Sequence, residues 1–477
     1  MRWVYHSKLY RVSPIPLQNM CVTLKGIGYR AIRHGGYFRQ CERELLCNER
    51  LGEGGLRQYQ LLKLRQLLVH AYTNVPFYRR EFDRLKFRPA ELESLDEMES
   101  LPIIDKHVLR NGLEQFVSVN TKRRHLYRGS TSGSTGTPLT LFMDRRLIQA
   151  EHSFVWRQFR WAGCPSGGKV ALFRGDMIVP AEQAKPPYWR HDVVNKELWC
   201  SSYHISETSI GSYLKALEDF EPHLIYAYPS SLFAIVQYAT KQQREIALPH
   251  LRGIVTSSET LSSWQRESIE EYFKVRVFDW YGLFERVIFI GTCEFGSYHV
   301  FPDYGYTEFL PIRDGGRGNE YELVGTSFIN SVVPLVRYRT GDIVRIEGDM
   351  SGQCECGRVF PCVDSILGRR DDAIVTPTGR VIGRLDHIFK TATNITFAQI
   401  IQESENELTI MVVPGEHYSD ADREKLCTNA RRLVGETMKI CVETADHIPQ
   451  ESSGKFRGVI SKMPQAACRL NAHANLE

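Results

Sequence analysis

The 477-residue chain is 42% hydrophobic and 24% charged, which excludes disordered and collagen-like classes and leaves a soluble globular protein. Its length exceeds what a single hydrophobic core serves, so a large domain and at least one smaller one are expected. A net charge of only +4 argues against a dedicated nucleic-acid binder, and no run approaches the roughly 18 consecutive apolar residues of a membrane span.

Twelve cysteines scattered through so long a chain read as reduced thiols and a metal site rather than a disulfide framework, and the expected compartment is the cytoplasm. Residues 1–90 read as a basic, helical N-terminal segment. Met1 to Cys41 contains no Asp or Glu but carries Arg2, Lys8, Arg11, Lys25, Arg30, Arg33 and Arg39. That charge could touch a membrane surface or an acidic partner peripherally, or simply form a solvated cap. Pro14, Pro16, Gly26 and Gly28 are expected to interrupt any long amphipathic helix there.

Gln58 to Leu85 reads as helix, with Leu61, Leu62, Leu64, Leu67 and Leu68 on one broad face before a break at Asn74, Val75 and Pro76. From Leu126 onward, strand-like apolar runs alternate with helical stretches. Strands are predicted at Val170 to Phe173, Leu224 to Ala227, Gly253 to Thr256 and Val275 to Phe278. Strand and helix in turn imply an α/β fold, with mostly parallel sheets covered by helices. The loop from Tyr228 through Pro229, ahead of the helical run Leu232 to Thr240, lies at a strand's carboxyl end, where open α/β sheets bind ligands. After Gly368 the pattern changes to two helices among strands such as Glu407 to Val413 and Met438 to Glu443. The predicted boundary therefore divides a large domain, 1–370, from a small mobile α+β domain, 371–477.

The strongest local signal is STSGSTGTP, from Ser130 through Thr131, Ser132, Gly133, Ser134, Thr135, Gly136 and Thr137 to Pro138. Such a loop exposes backbone N–H groups and adds hydroxyl donors, which suits it to wrap a polyphosphate. It lacks the Lys of a GxxxxGK[ST] loop, which disfavours a Walker-type NTPase. Its flanks, Leu126 to Arg128 and Leu139 to Met143, read as strands.

The loop is followed in order by YGLFE (Tyr281 to Glu285), YRTGD (Tyr338 to Asp342), GRRDD (Gly368 to Asp372) and PQESSGK (Pro449 to Lys455). This ordered set resembles the adenylate-forming acyl-CoA synthetase superfamily. AYTNVPFYRREF (Ala71 to Phe82), LPIIDK (Leu101 to Lys106), SSETL (Ser257 to Leu261) and GTSFINSVVPLVRYRTGD (Gly325 to Asp342) are similar to its phenylacetate-CoA ligase-like branch, which includes proteins of capsular-polysaccharide biosynthesis.

The resemblance implies ATP-dependent activation of a small carboxylic acid to an acyl-adenylate, then acyl transfer to coenzyme A. A carrier-protein thiol or an amine is the alternative acceptor, and a catalytically idle nucleotide-binding scaffold is the alternative of another class. By the same resemblance the Ser130 to Thr137 loop would hold the β and γ phosphates, Glu285 would bind Mg²⁺, and Tyr281 with Gly282 would lie at the adenine. Asp342 would accept from both ribose hydroxyls, Arg369 would contact the ribose region, and Ser258 and Glu259 would join the nucleotide site. Asp371 would be the hinge, and Lys455 the cation that stabilises the adenylation transition state. Tyr228, Phe233 and the SSETL loop are candidates to line the acid's pocket, and the branch favours an aromatic or planar acid. Two departures are Phe284, where the family often has Thr, and Thr137, where it often has Lys.

Cys293 and His299, with five residues between them, and the pair Cys354 and Cys356 supply four ligands in two groups, the demand of a tetrahedral structural Zn²⁺. Similar positions occur in some members of the branch. Cys362 could substitute as a ligand.

Overall fold

The computed structural model describes residues 5, 7–130, 139–180, 182–312, 319–348, 354–369, 374–376, 381–382, 385, 388–389, 394–415, 417–435, 437–449 and 457–463. Helices Lys8–Val12, Ile15–Arg33, Gly36–Asn48, Glu53–Asn74 and Pro76–Leu85 open the chain. The predicted break at Val75 is there: Val75 is extended between the last two helices, and Pro76 starts the second, where its missing N–H costs nothing. Leu64, Leu67 and Leu68 are buried, whereas Leu62 is exposed.

The expected interruption near the N-terminus is corrected by helix Ile15–Arg33, which runs unbroken through Pro16, Gly26 and Gly28. Pro16 falls in the first turn, where no hydrogen bond is lost. Gly26 is where the helix lies on the body, since a Cβ there would come 1.6 Å from an Asp192 oxygen. The segment's charges are largely engaged within the chain. Arg11 pairs with Glu182, Lys25 sits 3.7 Å from the Tyr5 ring centre, Arg33 4.8 Å from that of Tyr29, and Arg30 donates to the Val194 carbonyl. The expected peripheral contact through basic charge therefore finds no support.

Strands β1 (Tyr127–Ser130) and β2 (Thr140–Met143) form an antiparallel hairpin, with Ser130 opposite Thr140. A nine-stranded sheet follows. Its centre is β5 (Glu197–Cys200), β3 (Val170–Phe173), β6 (Leu224–Ala227), β7 (Gly253–Ser257) and β8 (Val277–Gly282), all parallel. Antiparallel strands close its edges: β4 (Trp189–Asp192) on one side, then β9 (Phe289–Thr292), β10 (Tyr298–Val300) and β14 (Cys362–Val363) on the other.

Alternation along the parallel strands explains why they read as continuous apolar runs. Ala171, Ile225, Ile254 and Val277 pack into one core beneath helices Ile210–Phe220, Pro229–Lys241 and Ser263–Phe273. Val170, Leu224, Val255 and Phe278 point to the opposite face, against Phe154, Phe159 and Trp161 of helix Arg145–Trp161. That helix is fixed by Arg157, which is fully buried, pairs with the buried Asp303 at 2.7 Å and also donates to the Leu45 carbonyl. Isolating either partner would leave an uncompensated buried charge.

A second sheet is wholly antiparallel, in the order β11 (Gly305–Pro311), β12 (Glu320–Ser327), β13 (Tyr338–Arg345) and β15 (Ser365–Arg369). It shares its core with helices Glu53–Asn74, Pro76–Leu85 and Lys106–Phe116. A short ribbon, β16 (Ile374–Val375) and β17 (Val381–Ile382), precedes the last sheet, whose order is β20-β19-β18-β21. Those strands are Lys439–Thr444 (β20), Glu407–Pro414 (β19), Ile395–Ser404 (β18) and Val459–Ser461 (β21), and they pack under helix Asp420–Val434. Two helices were expected in this part; among the described residues there is this one α-helix.

Candidate active site

The carboxyl ends of β3, β6, β7 and β8 lie side by side, because Phe173, Ala227 and Thr256 are in register and Ser257 is opposite Trp280. Ligands bind at such an edge in open parallel sheets. Arg174, Tyr228 and Ser258 with Glu259 come just beyond it, and Tyr281 with Gly282 form the last two residues of β8, so the chain concentrates polar and aromatic side chains there.

Two predicted motifs are cross-linked at this edge. The Tyr281 hydroxyl donates to Asp342 Oδ2 at 2.7 Å, and the Tyr338 hydroxyl donates to Glu285 Oε1 at 3.0 Å. Glu285 and Asp342 are 5% and 4% exposed, so both acids are held in low-dielectric surroundings. The turn before Asp342 is fixed too: Gly341 has φ +75°, a left-handed conformation suited to glycine, and Thr340 Oγ1 accepts from the Asp342 N–H while donating to the Leu323 carbonyl. Backbone Arg369 is opposite Asp342 across β13 and β15.

Ser258 has φ +73°, and the loop it begins is tied down by Glu259, whose carboxylate accepts from the Ser230 N–H and hydroxyl, both at 3.0 Å. Glu259 thus caps helix Pro229–Lys241 from outside it, at the end where the helix dipole favours negative charge. Tyr228 is buried at the sheet edge, and burial pushes its hydroxyl up to about 12. Phe233 instead packs edge-on against Trp264, 4.6 Å between ring centres, inside the core. The stretch Thr131 to Thr137, Asp371 and Lys455 lie outside the described residues. Ser130, at the mouth of the loop, shares a 2.9 Å hydrogen bond with Thr140.

Two features escaped sequence reasoning. Arg174 bonds the Ser257 hydroxyl and, at 3.2 Å, that of Ser258, while its guanidinium lies 4.1 Å and 5.1 Å from the ring centres of Tyr226 and Tyr228. Asp279, buried in β8, accepts from Thr256 at 2.7 Å and Tyr298 at 2.9 Å; burial pushes its carboxyl up. Each is a polar residue in or just beyond an apolar strand, the one signal that could have flagged them.

Phe284 has a structural partner. A Cβ on Gly129 would lie 2.8 Å from the Phe284 ring and equally close to the Met143 methyl, so the strand that feeds the Ser130 to Thr137 loop passes directly under this side chain.

The sulfur cluster assembles at the far edge of the nine-stranded sheet. Cys293 follows β9, His299 is in β10, and Cys354 and Cys356 come from the turn ahead of β14; their four ligand atoms lie within 4.8 Å of one another. Cys293 and Cys354 sulfurs are 3.7 Å apart, and Cys356 Sγ is 3.3 Å from His299 Nε2. A tetrahedral zinc with bonds of about 2.3 Å to sulfur requires sulfurs about 3.8 Å apart. His299 Nδ1 lies 3.0 Å from the Phe360 carbonyl, which fixes the tautomer that leaves Nε2 as the ligand. Cys362 is on the Nδ1 side of the ring, at 3.4 Å, away from that ligand atom. The donor set thus fits a structural zinc ion.

Residues 374–462 match the family model of the CapK C-terminal domain. Protein CapK of Staphylococcus aureus is 24% identical over 95% of this chain and 99% of its own length. A phenylacetate-coenzyme A ligase of Pseudomonas putida is 28% identical over 67% of this chain and 72% of its own. Among solved structures, 2-hydroxyisobutyryl-CoA ligase in the postadenylation state superposes with a TM-score of 0.69 at 19% identity, covering 89% of this chain and 93% of that one. The same ligase in its thioesterification state gives 0.53, over 87% and 91% of the two chains. No helix among the described residues is long and apolar enough to cross a membrane. The chain is thus similar to CapK along nearly its whole length and to a phenylacetate-coenzyme A ligase over about two thirds of it, with the fold of the adenylate-forming coenzyme A ligases.

Proposed function

We propose that the chain is an AMP-forming carboxylate ligase: a carboxylate oxygen attacks the α-phosphorus of ATP, pyrophosphate leaves, and the acyl group then passes to the thiol of coenzyme A with release of AMP. The observation that carries this reading is the crossed pair of bonds, Tyr281 to Asp342 and Tyr338 to Glu285, which keeps two acids buried at the ligand-binding edge of the sheet. A carboxylate can accept more than one hydrogen bond or metal bond, so beside their tyrosine donors Glu285 suits a magnesium ion and Asp342 a ribose diol.

ATP supplies the leaving group and the electrophilic phosphorus. Glu285 is a hard oxygen ligand for Mg²⁺, and Asp342 an acceptor for both ribose hydroxyls. The Tyr281 ring, beside Gly282, would stack on the adenine, and the Ser258 and Glu259 loop would join the nucleotide site. Ser130 to Thr137 would wrap the β and γ phosphates, Arg369 would reach the ribose, and Lys455 would meet charge developing between the acid and the α-phosphate. Residues 1–370 and 371–477 would be the large and small domains, turning about Asp371. Support for rotation comes from the 2-hydroxyisobutyryl-CoA ligase, solved in both postadenylation and thioesterification states. One Zn²⁺ at Cys293, His299, Cys354 and Cys356 would be structural, since four protein ligands leave no open position. The cytoplasm would supply ATP and coenzyme A.

Carboxylate-dependent exchange of labelled pyrophosphate into ATP tests the reading. The acid panel should span aromatic and planar acids, favoured by the phenylacetate ligases, and acids with a second anionic group, which the Arg174 guanidinium at the sheet edge would meet. A purified chain that exchanges nothing across the panel is an idle scaffold. AMP release with coenzyme A, carrier protein and amines in turn then identifies the acceptor.

A further inference from the structure

Arg174 is the first residue beyond β3, and the turn it enters is fixed. Gly175 has φ +68°, its N–H donates to Ser202 Oγ at 3.0 Å, and its carbonyl accepts from the Tyr203 hydroxyl at 3.1 Å. From there the arginine side chain crosses β6 to bond Ser257 and Ser258 at the end of β7, two strands and about 10 Å away. The rings of Tyr226 and Tyr228, 4.1 Å and 5.1 Å from the guanidinium, line its path.

Every anchor of this arginine is neutral. Among the described residues no carboxylate pairs with it, and Glu259, the acid that follows Ser258, is bonded to Ser230. A guanidinium offers more N–H donors than two hydroxyls engage. Half-buried and held at both ends, this one presents a fork that matches a carboxylate with two parallel bonds.

The row continues across the sheet, because Phe173, Ala227 and Thr256 are in register and Ser257 is opposite Trp280. Trp280 packs with Tyr226 on the face covered by helix Arg145–Trp161, and its buried indole N–H is a second donor that finds no partner among the described residues. Tyr281, the next residue, turns instead to the core under the second sheet, and its hydroxyl meets Asp342. Arg174 and the nucleotide-directed Tyr281 thus fall on opposite faces of the sheet end. The surroundings of the arginine are aromatic, which suits an acyl group better than a polyphosphate.

We propose that Arg174 sets substrate specificity by binding a second carboxylate on the acid, so that the chain activates dicarboxylic acids. The inference rests on the carboxylate-ligase reading above. One carboxyl bonds the α-phosphorus through its oxygen as pyrophosphate leaves; the other keeps its charge throughout and stays paired with the guanidinium. A monocarboxylic acid of the same skeleton would leave that guanidinium covered and unpaired, and sites built to bond a polar group strongly reject analogues that lack it.

Pyrophosphate exchange with matched acids tests this: isophthalate against benzoate, and glutarate against pentanoate. Coenzyme A is absent from the assay, so its phosphates contribute nothing. The wild type should favour the dicarboxylate of at least one pair by about 10- to 100-fold in kcat/KM, the scale for a hydrogen-bonded charge. Arg174→Gln should bring that ratio toward one, and Arg174→Lys, which keeps the charge but loses the fork, should restore part of it. Wild-type exchange without preference for the second carboxylate would overturn the inference and leave the ligase reading standing. So would a loss in Arg174→Gln that is equal for both acids of a pair and appears in KM for ATP, the result for an arginine on the nucleotide's phosphates. No exchange with any acid would remove the ligase reading, and this inference with it.

Discussion

Tyr281 donates a hydrogen bond to Asp342, while Tyr338, four residues before Asp342, does the same for Glu285, four residues after Tyr281. The two motifs are therefore laced in a reciprocal cross, and displacing one shifts an acid of the other. Tyr281→Phe keeps the ring but removes the bond that orients Asp342. With one hydrogen bond to a charged group worth about 1.5–3 kcal/mol, KM for ATP should rise by about 10- to 100-fold. Tyr338→Phe should act on the magnesium requirement, raising the Mg²⁺ concentration for half-maximal exchange. Single variants that leave both quantities unchanged would detach the cross from catalysis.

Gly129 and Phe284 form a second dependency. Gly129→Ala places a methyl 2.8 Å from the ring and from Met143, and overpacking of this kind costs about 1–3 kcal/mol. Because β1 leads into the Ser130 to Thr137 loop, pyrophosphate exchange should fall with it. Phe284→Leu in the same chain should return a large part of both stability and activity. Absence of that rescue would mean that the loop does not depend on this packing.

Metal analysis of protein purified without added metal should find about one zinc per chain, the stoichiometry of a closed four-ligand site. Cys354→Ser should lower zinc content and melting temperature together, whereas Cys362→Ser should lower neither appreciably, because Cys362 faces the other nitrogen of His299. Full zinc content in Cys354→Ser would remove Cys354 from the ligand set.

Most of the scaffold was legible because its signals are local. Val170 to Phe173 and Leu224 to Ala227 are apolar on both faces, as strands sandwiched between helix layers must be, and their predicted bounds coincide with β3 and β6. The strand predicted from Val275 starts two residues later, at Val277; Lys274 is left-handed and closes the preceding helix. Gly26 misled because its reason, the approach of Asp192, lies 166 positions along the chain. Arg174 was silent for the same cause: its significance arises only when β3, β6 and β7 end together. The four sulfur and imidazole ligands were recognisable as two pairs, but only the pairing of β10 with β14 separates Cys362 from the set.

Lys455 carries the last prediction, which concerns the order of events. Its placement in PQESSGK resembles a residue that meets the reacting phosphate only while the acid is being activated. Lys455→Ala should then reduce pyrophosphate exchange by about 10² to 10³-fold, the scale for losing one preorganised electrostatic group. Thioester formation from supplied acyl-adenylate should fall far less, because the bond being broken in that step no longer involves the departing pyrophosphate. Asp371→Pro should give the reverse pattern, since fixing φ at the hinge hinders rotation after the adenylate has formed. Measuring both half-reactions in both variants separates the two ideas. Equal loss in the two steps for Lys455→Ala would make that lysine a general binding residue, and an Asp371→Pro chain that turns over normally would move the hinge elsewhere.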